Sequence, residues 1–167
     1  MILYIVRHGI AVPHGTHGIA EDDRPLTEDG VKKMQKVAAG LRNLGVTPDA
    51  VLSSPLPRAV QTAKILQEAY EQRPFLQLLD ALAPGGSRAE VYRAMRIHKN
   101  FEGLILVGHQ PSLGELAGEV AWGSAEHYVE LKKGGACALE IEEIKDSPRG
   151  TLLWLLTPAI LRLMAET

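Results

Sequence analysis

The sequence predicts an α/β fold: a three-layer α/β/α sandwich with a mostly parallel central sheet and at least one antiparallel strand near the C-terminus. Three observations carry this. Short apolar runs of strand character alternate with segments whose apolar residues recur at helical spacing. The runs at residues 2–6 (ILYIV) and 104–107 (LILV) are continuously apolar, as buried strands are. The last two strand-like runs, 136–144 and 151–156, are joined by a turn around Asp146-Ser147-Pro148-Arg149-Gly150. That turn is too short for a parallel crossover, so at least one of the two runs antiparallel.

The elements follow in order. After the strand at 2–6, residues 12–23 read as a loop rich in Gly, His and Asp. Thr27 caps a helix with Glu28 and Asp29 in its first turn, where carboxylates suit the helix dipole. Val31, Met34, Val37, Ala38, Leu41 and Leu44 mark its buried face, and Gly45 stops it. A short strand at 50–52 leads into the turn Ser53-Ser54-Pro55-Leu56-Pro57 and a helix at about 58–70. A strand at 75–79 and the loop Pro84-Gly85-Gly86 follow. Ser87 with Glu90 forms a capping box for a helix reaching about His98, and Ser112 with Glu115 forms another after the strand at 104–107. Near the C-terminus, Leu161, Leu163 and Met164 are expected to dock on the core rather than form an interface.

The chain has 167 residues and reads as one domain, residues 1–167, with 46% hydrophobic residues to fill a single core. A net charge of −2 excludes a general nucleic-acid binder or a polybasic membrane-surface protein, so any anion site must be a local cluster. The single cysteine, Cys137, is read as a small buried hydrophobe. The N-terminal apolar run is too short for a signal peptide, and no stretch approaches the ~18 apolar residues of a membrane span. A soluble cytoplasmic protein is expected.

Three strand ends carry chemistry. The first ends in Arg7-His8-Gly9, the second leads through Ser53-Ser54-Pro55-Leu56-Pro57 to Arg58, and the third ends in Gly108-His109-Gln110-Pro111. In a parallel sheet these ends share one edge, so two arginines and two histidines converge although far apart in sequence. Such a cluster suits a phosphoryl group. Guanidinium forks match phosphate oxygens and stay charged. An imidazole can attack phosphorus and split a hard hydrolysis into two steps. Nearby arginines favour the neutral, nucleophilic form of His8. His109 is placed to stabilise charge on the transferring group, the alternative being a cap for the following helix.

Arg7-His8-Gly9, Arg24-Pro25-Leu26-Thr27-x-x-Gly30, Ser53-Ser54-Pro55-x-x-Arg58-Ala59-x-Gln61-Thr62-Ala63 and Gly108-His109-x-Pro111 together resemble the histidine phosphatase superfamily. The length, the compact spacing and the closing Trp154-x-x-x-Pro158 resemble its SixA-type phosphohistidine phosphatase branch. The resemblance implies that His8 is the nucleophile that becomes phosphorylated, that Arg7 and Arg58 clamp the phosphoryl oxygens, and that His109 acts as the second imidazole. It implies no metal and no organic cofactor. Arg24 either lines the pocket mouth or pairs with Asp22 or Asp23. Ser54 either bonds phosphate or shapes its turn, with the turn favoured.

The departures from the wider superfamily bear on substrate. Phosphomonoesterases of this kind use a carboxylic acid to protonate an alkoxide leaving group. In the acid-phosphatase-like branch that acid follows the second histidine, where this chain has Gln110. In the mutase-like branch a Glu lies after the third strand, and there this chain offers only Asp80. Imidazole, with a reference pKa of about 6.5, leaves far more easily than an alkoxide. The expectation is therefore a phosphohistidine phosphatase whose partner is a phosphorylated histidine-containing protein, such as a phosphotransfer domain. The alternatives are a small-molecule phosphomonoesterase with Asp80 as general acid and a non-catalytic phosphate-recognition module. His14 and His17, in a Gly-rich loop without a third ligand in view, are read as solvated rather than metal-binding.

Overall fold

A computed structural model describes residues 1–144 and 146–166. The strands are β1 (Ile2–Arg7), β2 (Ala50–Ser53), β3 (Phe75–Leu78), β4 (Gly103–Gly108), β5 (Ala136–Glu143) and β6 (Arg149–Leu156). The helices are α1 (Glu28–Asn43), α2 (Pro57–Glu68), α3 (Arg88–Ile97), α4 (Ser112–Trp122) and α5 (Pro158–Met164), with short 3-10 turns at Glu21–Asp23 and Asp80–Leu82. The strands form one sheet in the order β3-β2-β4-β1-β5-β6. The pairings β3–β2, β2–β4 and β4–β1 are parallel, while β1–β5 and β5–β6 are antiparallel. The strand that reverses direction is therefore β5, as the short turn before β6 demands.

Strand side chains alternate between the two sheet faces, and each face meets its own helices. Leu3, Ile5, Leu52, Leu104 and Leu106 pack with Val91 and Met95 of α3 and Leu116 and Val120 of α4. Tyr4, Val6, Val51, Ile105 and Val107 pack with Met34 and Leu41 of α1, Leu66 of α2 and Leu161 of α5. This is the three-layer arrangement expected. Cys137 is fully buried, and burial pushes its thiol up to about 12, which keeps it an inert apolar side chain. No helix among the described residues is long and apolar enough to cross a membrane.

The capping expectations divide. Thr27 accepts from Gly30 N–H (2.9 Å) and Ser87 from Glu90 N–H (3.4 Å), as anticipated. Ser112 does not cap α4. Pro111 occupies the cap position, and the Gln110 side-chain oxygen accepts from Gly114 N–H at 2.8 Å. The reason is register: Ser112 is already the first helical residue, and Glu115, its supposed partner, pairs instead with Arg88.

Helix α5 was not anticipated as a helix, although Thr157-Pro158 is a fitting start: Thr157 accepts from Ile160 N–H and Pro158 opens the first turn. Leu161 docks fully buried, over Gly40 of α1, where a Cβ would lie 1.8 Å from the Leu161 carbonyl oxygen. Leu163 faces solvent, 62% exposed, and Met164 is half-buried, so of the three residues expected to dock on the core Leu161 does so fully and Leu163 does not. Only one face of a short helix can meet α1.

Candidate active site

The parallel register brings the three strand ends together. Arg7 pairs with Gly108, and His8 N–H donates to the Gly108 carbonyl at 3.1 Å. Ser54 N–H donates to the Val107 carbonyl at 2.9 Å, tying the end of β2 to that of β4. His8 and His109 consequently face one another, ring centroids 5.1 Å apart and planes tilted by 54°. Both are buried, as is Arg58 at the start of α2.

The hydrogen bonds set the proton on His8. Its Nδ1 lies 2.7 Å from the Gly9 carbonyl oxygen, which can only accept, so Nδ1 carries the hydrogen and Nε2 carries the lone pair. Burial is the first cause that lowers the His8 pKa to about 3, with His109, Arg58 and Arg7 adding to the effect and the Gly9 carbonyl opposing it. His109 is lowered to about 4, again first by burial and then by Arg58, Arg7 and Arg24. Both imidazoles are neutral at physiological pH.

Two guanidinium groups flank them. Arg7 Nη1 donates to the Leu131 carbonyl (2.9 Å) and Arg58 Nη1 to the Glu21 carbonyl (3.1 Å). Among the described residues, the buried side-chain nitrogens without a protein partner are Arg7 Nε and Arg58 Nε. Burying a donor unpaired costs free energy, and two cationic donors beside two neutral imidazoles form a seat for an anion.

The remaining expected residues have other engagements. Arg24 directs Nε and Nη2 to the Glu21 carboxylate (2.9 and 2.6 Å) and Nη1 to the Val12 carbonyl (2.8 Å). Its partner is thus Glu21, not Asp22 or Asp23, and the guanidinium ties the loop before α1 to itself. Ser54 Oγ accepts from Leu56 N–H (3.3 Å), shaping the turn as favoured, and also lies 2.8 Å from His109 Nε2. Asp80 is exposed at the start of a 3-10 turn, and the imidazoles bond Gly9 O and Ser54 Oγ, not Asp80. His14 is exposed and pairs with Glu21 through Nδ1. Among the described residues, no three His, Cys, Asp or Glu side chains gather as a metal site requires.

Several contributors escaped the sequence reading. Glu21 holds Arg24 with its carboxylate and Arg58 with its carbonyl. Arg24 and His14 hold its carboxyl down to about 2, so it stays ionised and is no proton donor. Gln110, noted only for what it replaces, donates to the Val129 carbonyl (3.1 Å) and so fixes the segment whose Leu131 carbonyl holds Arg7. Close packing on α4 supports the same segment: a Cβ at Gly118 would lie 1.4 Å from the His127 carbonyl oxygen. The Glu21 carbonyl on Arg58 and the Val129 carbonyl on Gln110 act across long separations through backbone atoms and leave no local pattern, whereas the Glu21–Arg24 pair is only three residues apart.

Comparisons with known proteins agree with this geometry. Residues 3–82 match the family model "Histidine phosphatase superfamily (branch 1)". An uncharacterized protein of Picosynechococcus sp. is 44% identical over 146 residues, covering 83% of this chain and 84% of that protein. Among solved structures, the protein histidine phosphatase SixA complexed with tungstate superposes with a TM-score of 0.83 at 24% identity, covering 96% of this chain and 99% of that one. A putative alpha-ribazole-5'-P phosphatase from Escherichia coli superposes with a TM-score of 0.73 at 22% identity, covering 96% and 98%. With the motif-bearing strand ends converged and the family match spanning the first two of them, the chain belongs to the histidine phosphatase superfamily.

Proposed function

We propose that this protein is a phosphohistidine phosphatase working through a covalent phospho-His8 intermediate. His8 Nε2, neutral and with its lone pair free, attacks phosphorus; an N–P bond forms as the substrate's own N–P bond breaks. The leaving imidazole departs with that electron pair, as a neutral ring because its other nitrogen carries one proton. Water then cleaves the His8 Nε2–P bond, releasing orthophosphate and restoring the imidazole. Arg7 and Arg58 hold the phosphoryl oxygens through the donors that protein groups do not occupy, and His109, oriented by Ser54, stabilises the charge spread over them. Arg24 keeps the loop closed around Arg58 rather than binding substrate.

The observation that carries the choice of leaving group is the hydrogen bonding of the two imidazoles. Their partners are the Gly9 carbonyl and the Ser54 hydroxyl, with no carboxylate among them. Glu21, the acid built into the site's wall, is held ionised. An alkoxide needs a proton as it leaves, whereas an imidazole of reference pKa about 6.5 does not need one from the protein. The fold itself is shared with a phosphatase of a ribazole ester, so the substrate must be argued from the site.

Side-by-side kcat/KM values for a phosphohistidine peptide and a panel of sugar and nucleoside phosphomonoesters test this reading. Preference for phosphohistidine is expected. Faster ester hydrolysis, lost in Asp80→Asn, would favour the monoesterase with Asp80 as acid. Binding of phosphate without turnover of any substrate would favour a recognition module.

A further inference from the structure

Thr62 lies one turn into α2 and is fully buried. Its hydroxyl makes two hydrogen bonds, and both lead into the site. Oγ1 accepts from Gly9 N–H at 3.0 Å and donates to the Arg58 carbonyl at 2.7 Å. Neither bond can reverse, since an amide N–H only donates and a carbonyl only accepts. One hydroxyl therefore links the residue after the nucleophile to the backbone of the clamp.

Gly9 matters because its carbonyl receives the His8 Nδ1 proton. That bond keeps the proton off Nε2. Gly9 is confined on its other side as well: a Cβ there would lie 2.5 Å from Met34 Cγ, and the next carbonyl, Ile10, accepts from Thr27 N–H at 3.0 Å. Thr62 closes this cage from the α2 side. Without the hydroxyl, Gly9 N–H has lost its acceptor in the interior, and the backbone must shift to find another.

Resting on the reading of His8 as nucleophile, we infer that Thr62 is a positioning residue: its hydroxyl holds the Gly9 carbonyl against His8 Nδ1 and so keeps the Nε2 lone pair free to attack. A displacement of the order of 1 Å at an attacking atom can lower a rate about 100-fold.

The test compares Thr62→Val, which keeps the shape and removes the hydroxyl, with Thr62→Ser, which keeps the hydroxyl and removes the methyl group. Thr62→Ala replaces the valine variant if that one does not fold. Nitrogen NMR of the assigned His8 ring reports the tautomer, rapid quench with a phosphohistidine peptide reports phosphoenzyme formation, and titration with orthophosphate reports the clamp. In Thr62→Val the His8 ring should move from a single Nδ1–H tautomer to a mixture. Phosphoenzyme formation should slow by roughly 10- to 100-fold with orthophosphate affinity little changed. Thr62→Ser should restore both signals. A wild-type tautomer in the valine variant, or a serine variant as impaired as the valine one, would overturn the inference. The tautomer is read without turnover, so absence of any phosphoenzyme in the wild type would count against the phosphatase reading alone.

Discussion

His8 and His109 face each other across the carboxyl ends of neighbouring strands, 5.1 Å between ring centroids, and each is neutral for the same first reason, burial. Under the proposed mechanism, the two lowered pKa values predict a pH dependence with a definite direction. With pKa values of about 3 and about 4, neither ring gains a proton until well below neutrality. The phosphoenzyme-forming step should therefore hold its rate from pH 8 to about pH 5 as far as these two groups govern it. It should fall as protonation removes the Nε2 lone pair. Single-turnover rates across that range check this; a loss centred near pH 6.5, the ordinary imidazole value, would show that His8 is not so perturbed.

Stability follows the same groups. Each histidine binds a proton more weakly folded than unfolded, so the stability this reflects is complete above about pH 6.5 and is lost as pH falls toward the folded values of about 3 and 4. The slope is at most about 1.4 kcal/mol per pH unit for each ring. Urea midpoints at pH 7 and pH 5 should differ in the wild type and differ less in His8→Asn. Equal differences in the two proteins would count against the assignment.

Gln110 joins three parts of the wall: it accepts from Gly114 N–H, donates to the Val129 carbonyl, and through that segment supports the carbonyl that holds Arg7. Gln110→Ala leaves a helix-start donor and a carbonyl unpaired, at a cost of about 1–3 kcal/mol. Chemical denaturation should show that loss, and KM should rise more than kcat falls because the clamp is displaced. An unchanged KM would detach Gln110 from Arg7.

How much of this was legible in the sequence depends on the range of the interaction. The strand ends converged as expected because continuous apolar runs and helical periodicity fix layers and direction, and parallel direction fixes which edge Arg7, Arg58 and His109 share. Thr27 and Ser87 were readable as caps because capping is local. The contacts of the Glu21 carbonyl with Arg58, of Gln110 with the Val129 carbonyl and of the Leu131 carbonyl with Arg7 were not, since each runs through backbone atoms that every residue carries. Arg24 shows the intermediate case: its closeness to an acidic turn was visible, but which of Glu21, Asp22 and Asp23 it grips depends on how the 3-10 turn points each side chain.

That grip gives a further test. Glu21→Gln keeps the size of the side chain but weakens its bonds to Arg24 and His14. The loop at residues 12–24 should open, showing as faster limited proteolysis there and weaker orthophosphate binding, because Arg58 loses the fixed carbonyl of Glu21. Removing the carboxylate's charge weakens both bonds, so cleavage within residues 12–24 should be faster than in the wild type. Wild-type proteolysis would mean the loop is held by other contacts.

The most direct measurement is a rapid-quench experiment with a radiolabelled phosphohistidine peptide, followed by mapping of the label on the protein. The predicted result is a transient acid-labile, base-stable phosphate on His8 that decays at the rate of orthophosphate release and is absent in His8→Ala, which should also show no turnover. Turnover without a phosphoenzyme in the wild type, or undiminished turnover in His8→Ala, would contradict the account.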